Sequence, residues 1–144
     1  MIQRIFISQL LRKNKDAIIV GSLGTISRDL LEIKSKNWIV PVKGAMGCVM
    51  GIGLGMALSQ EKKVIVLIGD GSFLMKMGSI STILKHHPKN LKIIILNNNK
   101  YESCGGQKTN YKEYSFPSIG KHTNCRTHKL FEMVNTKEKL KCNS

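Results

Sequence analysis

The 144-residue sequence predicts a single α/β domain, a parallel sheet flanked by helices on both faces. Two apolar runs, Val64-Ile65-Val66-Leu67-Ile68 and Ile93-Ile94-Ile95-Leu96, are short, rich in β-branched residues and free of polar positions, as strands covered on both sides are. Helical patterns lie between such runs, and this alternation argues for parallel strands joined by right-handed crossovers. Both runs stop abruptly, the first at Gly69-Asp70-Gly71 and the second at Asn97-Asn98. Asp70 and the asparagines therefore belong at the carboxyl ends of neighbouring strands, where sheets of this class bind ligands.

The elements follow in chain order. Ile5 to Leu11 suits a first helix and Ala17 to Val20 a short buried strand. Ser27 to Ile33 reads as a helix capped by Ser27 or Thr25, with Asp29 near its positive end. Ile39-Val40 forms a short strand before a glycine-rich helix over Gly44 to Ser59. In that helix Gly47, Gly51 and Gly55 recur every four residues and share one face, where a neighbouring backbone can approach closely. After the strand Val64 to Ile68, a helix runs from Met77 to His86 and is ended by Pro88. Ile93 to Leu96 is the next strand, and Asn97 to Pro117 is loop-like, a length that marks a functional segment. Phe131 to Val134 reads as the last strand and Asn135-x-x-Glu138 as the capping box of a closing helix.

Asp70 and the asparagines are oxygen donors, and a hard cation suits them. Magnesium takes one or two ligands from side chains and completes its octahedron with water and phosphate oxygens, so the site reads as metal plus phosphate. The backbone N–H groups of Gly71, Ser72 and Phe73 can line an anion-binding turn before the following helix, with Ser72 adding a hydroxyl donor and Gly71 permitting close approach. Neither Gly51-x-Gly53-x-Gly55 nor Gly21-x-x-Gly24 has dinucleotide-fingerprint spacing, and no phosphate-loop Gly-Lys-Ser/Thr occurs.

Gly69-Asp70-Gly71, followed at the appropriate distance by a strand and Asn97-Asn98, resembles the motif of the thiamine diphosphate-dependent decarboxylases and their relatives. The resemblance implies the thiamine diphosphate-binding fold, with thiamine diphosphate and Mg2+ as cofactors. It implies that Asp70 and Asn98 hold the metal by side-chain oxygens and Lys100 by its backbone carbonyl. Val42-Lys43-Gly44-Ala45-Met46-Gly47 is similar to the segment in which a carbonyl at the place of Gly44 meets the aminopyrimidine and a bulky side chain at that of Met46 props the cofactor bent. Gly44, Met46, Gly69, Asp70, Gly71, Ser72 and Asn98 are thus the expected cofactor-binding residues. Within the superfamily, Gly21-x-x-Gly24-x-x-Ser27-Arg28-Asp29-Leu30 and Glu102-Ser103-Cys104-Gly105-Gly106-Gln107 look most like the phosphonopyruvate and sulfopyruvate decarboxylases, on the substrate side of the site.

That likeness implies decarboxylation of a small anionic 2-oxo acid, first 3-phosphonopyruvate to phosphonoacetaldehyde and CO2, with sulfopyruvate as the alternative. In the family a glutamate from a pyrimidine-binding domain activates the cofactor, and no carboxylate here sits in a matching motif. The expectation is a hetero-oligomer in which another subunit or domain supplies that glutamate. Two features depart from the pattern: Lys100 stands where relatives commonly carry a small residue, and the chain stops soon after its last strand, which predicts a domain shortened at its carboxyl end.

Composition bounds the alternatives. A formal charge of +14 invites nucleic-acid binding, but the basic residues are spread along the chain, aromatic residues are few, and no helix-turn-helix or finger spacing occurs. A non-catalytic cofactor-binding remnant and a basic nucleic-acid-binding domain are the competing readings from other classes. The positive field also favours capture of anionic ligands. No secretory pattern follows Met1-Ile2-Gln3-Arg4-Ile5-Phe6, and the apolar stretch Ala45 to Leu58 is too short and glycine-rich to span a bilayer, so the expected location is cytoplasmic, without membrane contact. Cys48, Cys104, Cys125 and Cys142 have no Cys-x-x-Cys pairing and read as free thiols. His122-x-x-Cys125-x-x-His128 offers zinc-ligand types without an evident fourth ligand.

Overall fold

A computed structural model of the chain describes residues 2–109 and 130–136. Five parallel strands form one sheet in the order β2-β1-β3-β4-β7: β1 (Ile18–Gly21), β2 (Trp38–Pro41), β3 (Val64–Gly69), β4 (Leu91–Asn97) and β7 (Phe131–Asn135). A two-stranded antiparallel ribbon, β5 (Lys100–Tyr101) with β6 (Gln107–Lys108), lies outside it.

Period-two alternation splits each central strand between two cores. Ile18, Val20, Val64, Val66, Ile68, Ile93 and Ile95 face α3 (Val49–Ser59), α4 (Asp70–Met75) and α5 (Ser79–His86). Ile19, Ile65, Leu67, Ile94 and Leu96 face α1 (Ile2–Lys13) and α2 (Thr25–Glu32). Both faces are covered, as the unbroken apolar runs require. The order also sets the site: the chain steps one way from β1 to β2 and then back past β1 to β3, so the strand order reverses and leaves a crevice beyond the carboxyl ends of β1 and β3.

Several local expectations are corrected. The glycine-rich helix begins at Val49, not Gly44, because Gly44 (φ 74°) and Gly47 (φ 80°) adopt left-handed conformations that no helix accommodates. Gly47 therefore lies outside the helix, and a Cβ on Gly51 or Gly55 would meet nothing within 4 Å, so neither is a packing position. Gly53 is the packing glycine: a Cβ there would lie 2.1 Å from Val66 Cγ2.

α2 starts at Thr25 after Gly24, and neither Thr25 nor Ser27 caps it. Ser27 instead donates backwards to the carbonyls of Ser22 (2.7 Å) and Gly21 (3.3 Å), and no acidic residue falls in the first turn, which removes Asp29 from the positive end. Asp70 opens α4 directly, so the expected turn of Gly71, Ser72 and Phe73 is the start of a short helix. As far as Thr109 the segment after Asn97 is not a plain loop, since β5, a 3-10 turn (Glu102–Cys104) and β6 occupy it, and its remainder to Pro117 lies outside the described residues. α5 ends at His86, where His87 takes a left-handed conformation just before Pro88, as the sequence leads one to expect. Glu138 of the capping box and the His122, Cys125 and His128 cluster lie outside the described residues.

Candidate functional site

β3 delivers Asp70 to the crevice. The strand is apolar to its last residue, so the first polar side chain beyond it emerges at the carboxyl end of the sheet but under the roof of the ribbon, 1 % exposed. Its Oδ2 accepts a 2.7 Å hydrogen bond from the Thr109 hydroxyl, and the Asn98 backbone N–H approaches Oδ1 at 3.5 Å. Burial of a carboxylate demands such partners, because an unpaired charge away from water is costly.

β4 delivers the second half. Past its end the chain turns back through Asn99, whose φ of 57° suits asparagine better than most side chains. The turn is held by its own amides: Asn97 Oδ1 accepts from Asn99 N–H at 3.0 Å and Asn98 Oδ1 from Lys100 N–H at 2.9 Å. Asn97 does not face the crevice; its amide group donates to Asn135 Oδ1 on β7 at 3.2 Å. Of the paired asparagines, only Asn98 lines the cleft.

A third wall is the stretch before α3. Met46 lines the cleft, whereas Gly44 is exposed and outside the lining, with open space where a Cβ would stand. Ser72 fixes this stretch: its oxygen accepts the Gly47 N–H at 2.8 Å and lies 3.2 Å from Ser22 Oγ. The Ser72 oxygen thus accepts within the fold, and its hydroxyl hydrogen remains to donate. Gly71 is bare because a Cβ there would lie 2.5 Å from the Tyr101 ring.

One cleft therefore brings together Met46, Gly69, Asp70, Gly71, Ser72, Asn98 and Lys100, seven of the eight predicted site residues. The two segments assigned to the substrate side also meet there, because a Cβ on Gly24 would lie 3.1 Å from Ser103 Oγ. Within the first segment the glycines and serine shape the turn: a Cβ on Gly21 would strike Leu30 Cδ1 at 2.3 Å. The intervening Ser22, Leu23, Thr25 and Ile26 face the cleft.

Two participants escaped the sequence reading. Thr109 lies in the supposed loop, with no motif to mark it. Gln3, on α1, lines the cleft and donates to Asp29 Oδ2 at 2.8 Å and Thr25 Oγ1 at 3.2 Å. An amphipathic pattern reveals α1 but not which polar residue of it reaches a site.

The donor chemistry fits a magnesium ion bound with a phosphate group. Asp70 and Asn98 bring side-chain oxygens to the cleft and Lys100 lines it beside them, and the described residues contain no cluster of three His, Cys, Asp or Glu side chains. One carboxylate neutralises half the charge of a divalent cation, so an anionic co-ligand has to supply the rest. Cys48 and Cys104 are exposed free thiols; Cys125 and Cys142 lie outside the described residues. No helix among the described residues is long and apolar enough to cross a membrane.

Comparison with known proteins bears on the fold and the family. A solved 2-oxoglutarate:ferredoxin oxidoreductase from Magnetococcus marinus superposes with a TM-score of 0.56 at 16% identity, covering 74% of this chain and 36% of that one, which shows a shared fold. The beta subunit of sulfopyruvate decarboxylase from Methanocaldococcus jannaschii is 44% identical over 107 residues, 74% of this chain and 53% of the relative. Phosphonopyruvate decarboxylase from Streptomyces viridochromogenes is 37% identical over 105 residues, 73% of this chain and 26% of the relative. The chain thus spans about half the length of the former and a quarter of the latter. A family model described as thiamine pyrophosphate enzyme, C-terminal TPP binding domain, matches residues 20–142, and the chain belongs to that family.

Proposed function

We propose that the chain is the diphosphate-binding subunit or half of a thiamine diphosphate- and Mg2+-dependent decarboxylase acting on a three-carbon 2-oxo acid with a second anionic group. The observation that supports this reading most is the convergence of Asp70, Asn98, Lys100 and Met46 on one cleft at the strand-order reversal. Asp70, Asn98 and the Lys100 carbonyl hold the metal, the backbone around Gly69, Gly71 and Ser72 faces the diphosphate, and Met46 supports the cofactor's bend. Gly44, exposed beside the cleft, offers its carbonyl to the aminopyrimidine where a partner closes over it.

Bound thiamine diphosphate supplies the carbon nucleophile and electron sink that let the bond between the keto carbon and the carboxylate break, so that CO2 leaves and a proton takes its place. The chain's own part is to bind and orient. Ser22, Thr25 and Ser103 provide hydroxyls along the substrate side, and the positive field of the chain favours two anions in one cleft. The activating glutamate comes from a pyrimidine-binding partner.

3-Phosphonopyruvate, giving phosphonoacetaldehyde, and sulfopyruvate are the two substrates to compare. Similarity to relatives named as separate beta subunits favours the second, as it favours a hetero-oligomer. The test is CO2 release from 3-phosphonopyruvate, sulfopyruvate and pyruvate, by the chain alone and mixed with a pyrimidine-binding subunit. The expected result is no release alone, release with the partner, and preference for a substrate with the second anion. Robust turnover by the isolated chain would show that the activating group is already present in it.

A further inference from the structure

We infer that Thr109 is a positioning residue for the metal, holding Asp70 so that only one carboxylate oxygen is presented to it. This rests on the metal reading above and concerns a residue that no motif marks.

Three observations converge on Thr109. Its hydroxyl donates to Asp70 Oδ2 at 2.7 Å, with both residues buried, at 5 % and 1 % exposure. That is a well-formed O–H···O hydrogen bond between two groups withdrawn from water, where an unmade bond is costly. Its backbone N–H donates to the Asn99 carbonyl at 3.2 Å, within the turn that carries Asn98 and Lys100. Its methyl group packs where a Cβ on Gly71 would be 3.4 Å away. One residue therefore ties the β3 half of the ligand set to the β4 half.

The ribbon serves this purpose. β5 leaves the asparagine turn, the chain reverses at Gly105 and Gly106, both at positive φ, and β6 returns to place Thr109 beside Asp70. Oδ2 is held by the short bond from the hydroxyl, whereas Oδ1 has only the 3.5 Å approach of the Asn98 N–H, which makes Oδ1 the oxygen with the freer lone pairs for a cation. A single oxygen from each protein ligand is what a six-coordinate magnesium site with waters and phosphate oxygens accommodates. Partners of this kind typically contribute 10- to 100-fold to metal affinity.

The experiment compares wild type, Thr109→Val and Thr109→Ser in the full chain with thiamine diphosphate, reading Mn2+ binding by electron paramagnetic resonance and folding by circular dichroism. Valine keeps the shape and removes the donor; serine keeps the donor and removes the methyl group. Thr109→Val is expected to weaken Mn2+ binding about 10- to 100-fold, with Thr109→Ser remaining close to wild type. Binding by Thr109→Val within twofold of wild type would overturn the inference and leave the metal site standing. Equal losses in the two variants would assign the effect to packing and also overturn it. Absence of Mn2+ binding by wild type in the presence of thiamine diphosphate would overturn the metal reading and this inference together.

Discussion

Asp70 shows how a residue can be legible in type and misread in setting. A carboxylate closing an apolar run announces a site, but nothing local indicates that it is buried, because the covering residue is Thr109, brought back by a ribbon that looks like loop in sequence. Gly71 is similar: its small size suggested ligand approach, whereas the Tyr101 ring claims the space where a Cβ would stand. The burial makes Asp70→Ala a compound change. It removes the proposed metal ligand and leaves the Thr109 hydroxyl unpaired, a cost of about 1–3 kcal/mol. Asp70→Asn retains an acceptor for Thr109 and removes only the charge. Both variants are expected to lose Mg2+-dependent thiamine diphosphate binding in calorimetry, with Asp70→Asn the more stable to heat. Wild-type-like affinity in either would remove Asp70 from the ligand set.

At the scale of elements, the sequence is clearest where one physical demand dominates. β3 and β4 must be apolar on both faces, and their runs say so without reference to anything distant. β2 is harder, since an edge strand carries the exposed Trp38 at one end and Pro41 at the other. α4 was missed because Asp70-Gly71-Ser72 also has turn composition. α3 was found but started too early, since Lys43 to Cys48 continue its apolar and glycine-rich character while their backbone is set by Gly44 and Gly47. The glycines of α3 give a direct test of which of them packs. Gly53→Ala forces a methyl group into Val66 and is expected to cost about 1–3 kcal/mol. Gly51→Ala and Gly55→Ala enter open space and reduce the freedom of the unfolded chain, for a gain of roughly 0.5–1 kcal/mol each. Thermal unfolding of the three variants checks the order, and a loss at Gly51 or Gly55 matching that at Gly53 would contradict the packing of α3 described here.

The whole molecule combines a ligand crevice with a large positive charge, and the two need separating. The crevice follows from strand order and is local: the wall proposed to hold a cation consists of a carboxylate and two neutral oxygen donors. The charge is diffuse. Among the described residues only Arg4–Glu32 and Lys92–Glu132 form ion pairs, so most of the cations act through their summed field rather than through a fixed contact. Such a field attracts any polyanion, and neutralising phosphates in this way makes binding fall steeply as salt rises. Duplex DNA is therefore expected to bind weakly, without sequence preference, and to be released between about 50 and 200 mM salt, as measured by fluorescence anisotropy on unrelated duplexes. Thiamine diphosphate held with Mg2+ is expected to survive the same change, because buried and coordinated groups are screened far less than exposed ones. A duplex of defined sequence that stayed bound at the higher salt while the cofactor was lost would reverse this assignment, making the basic surface the specific site and the crevice incidental.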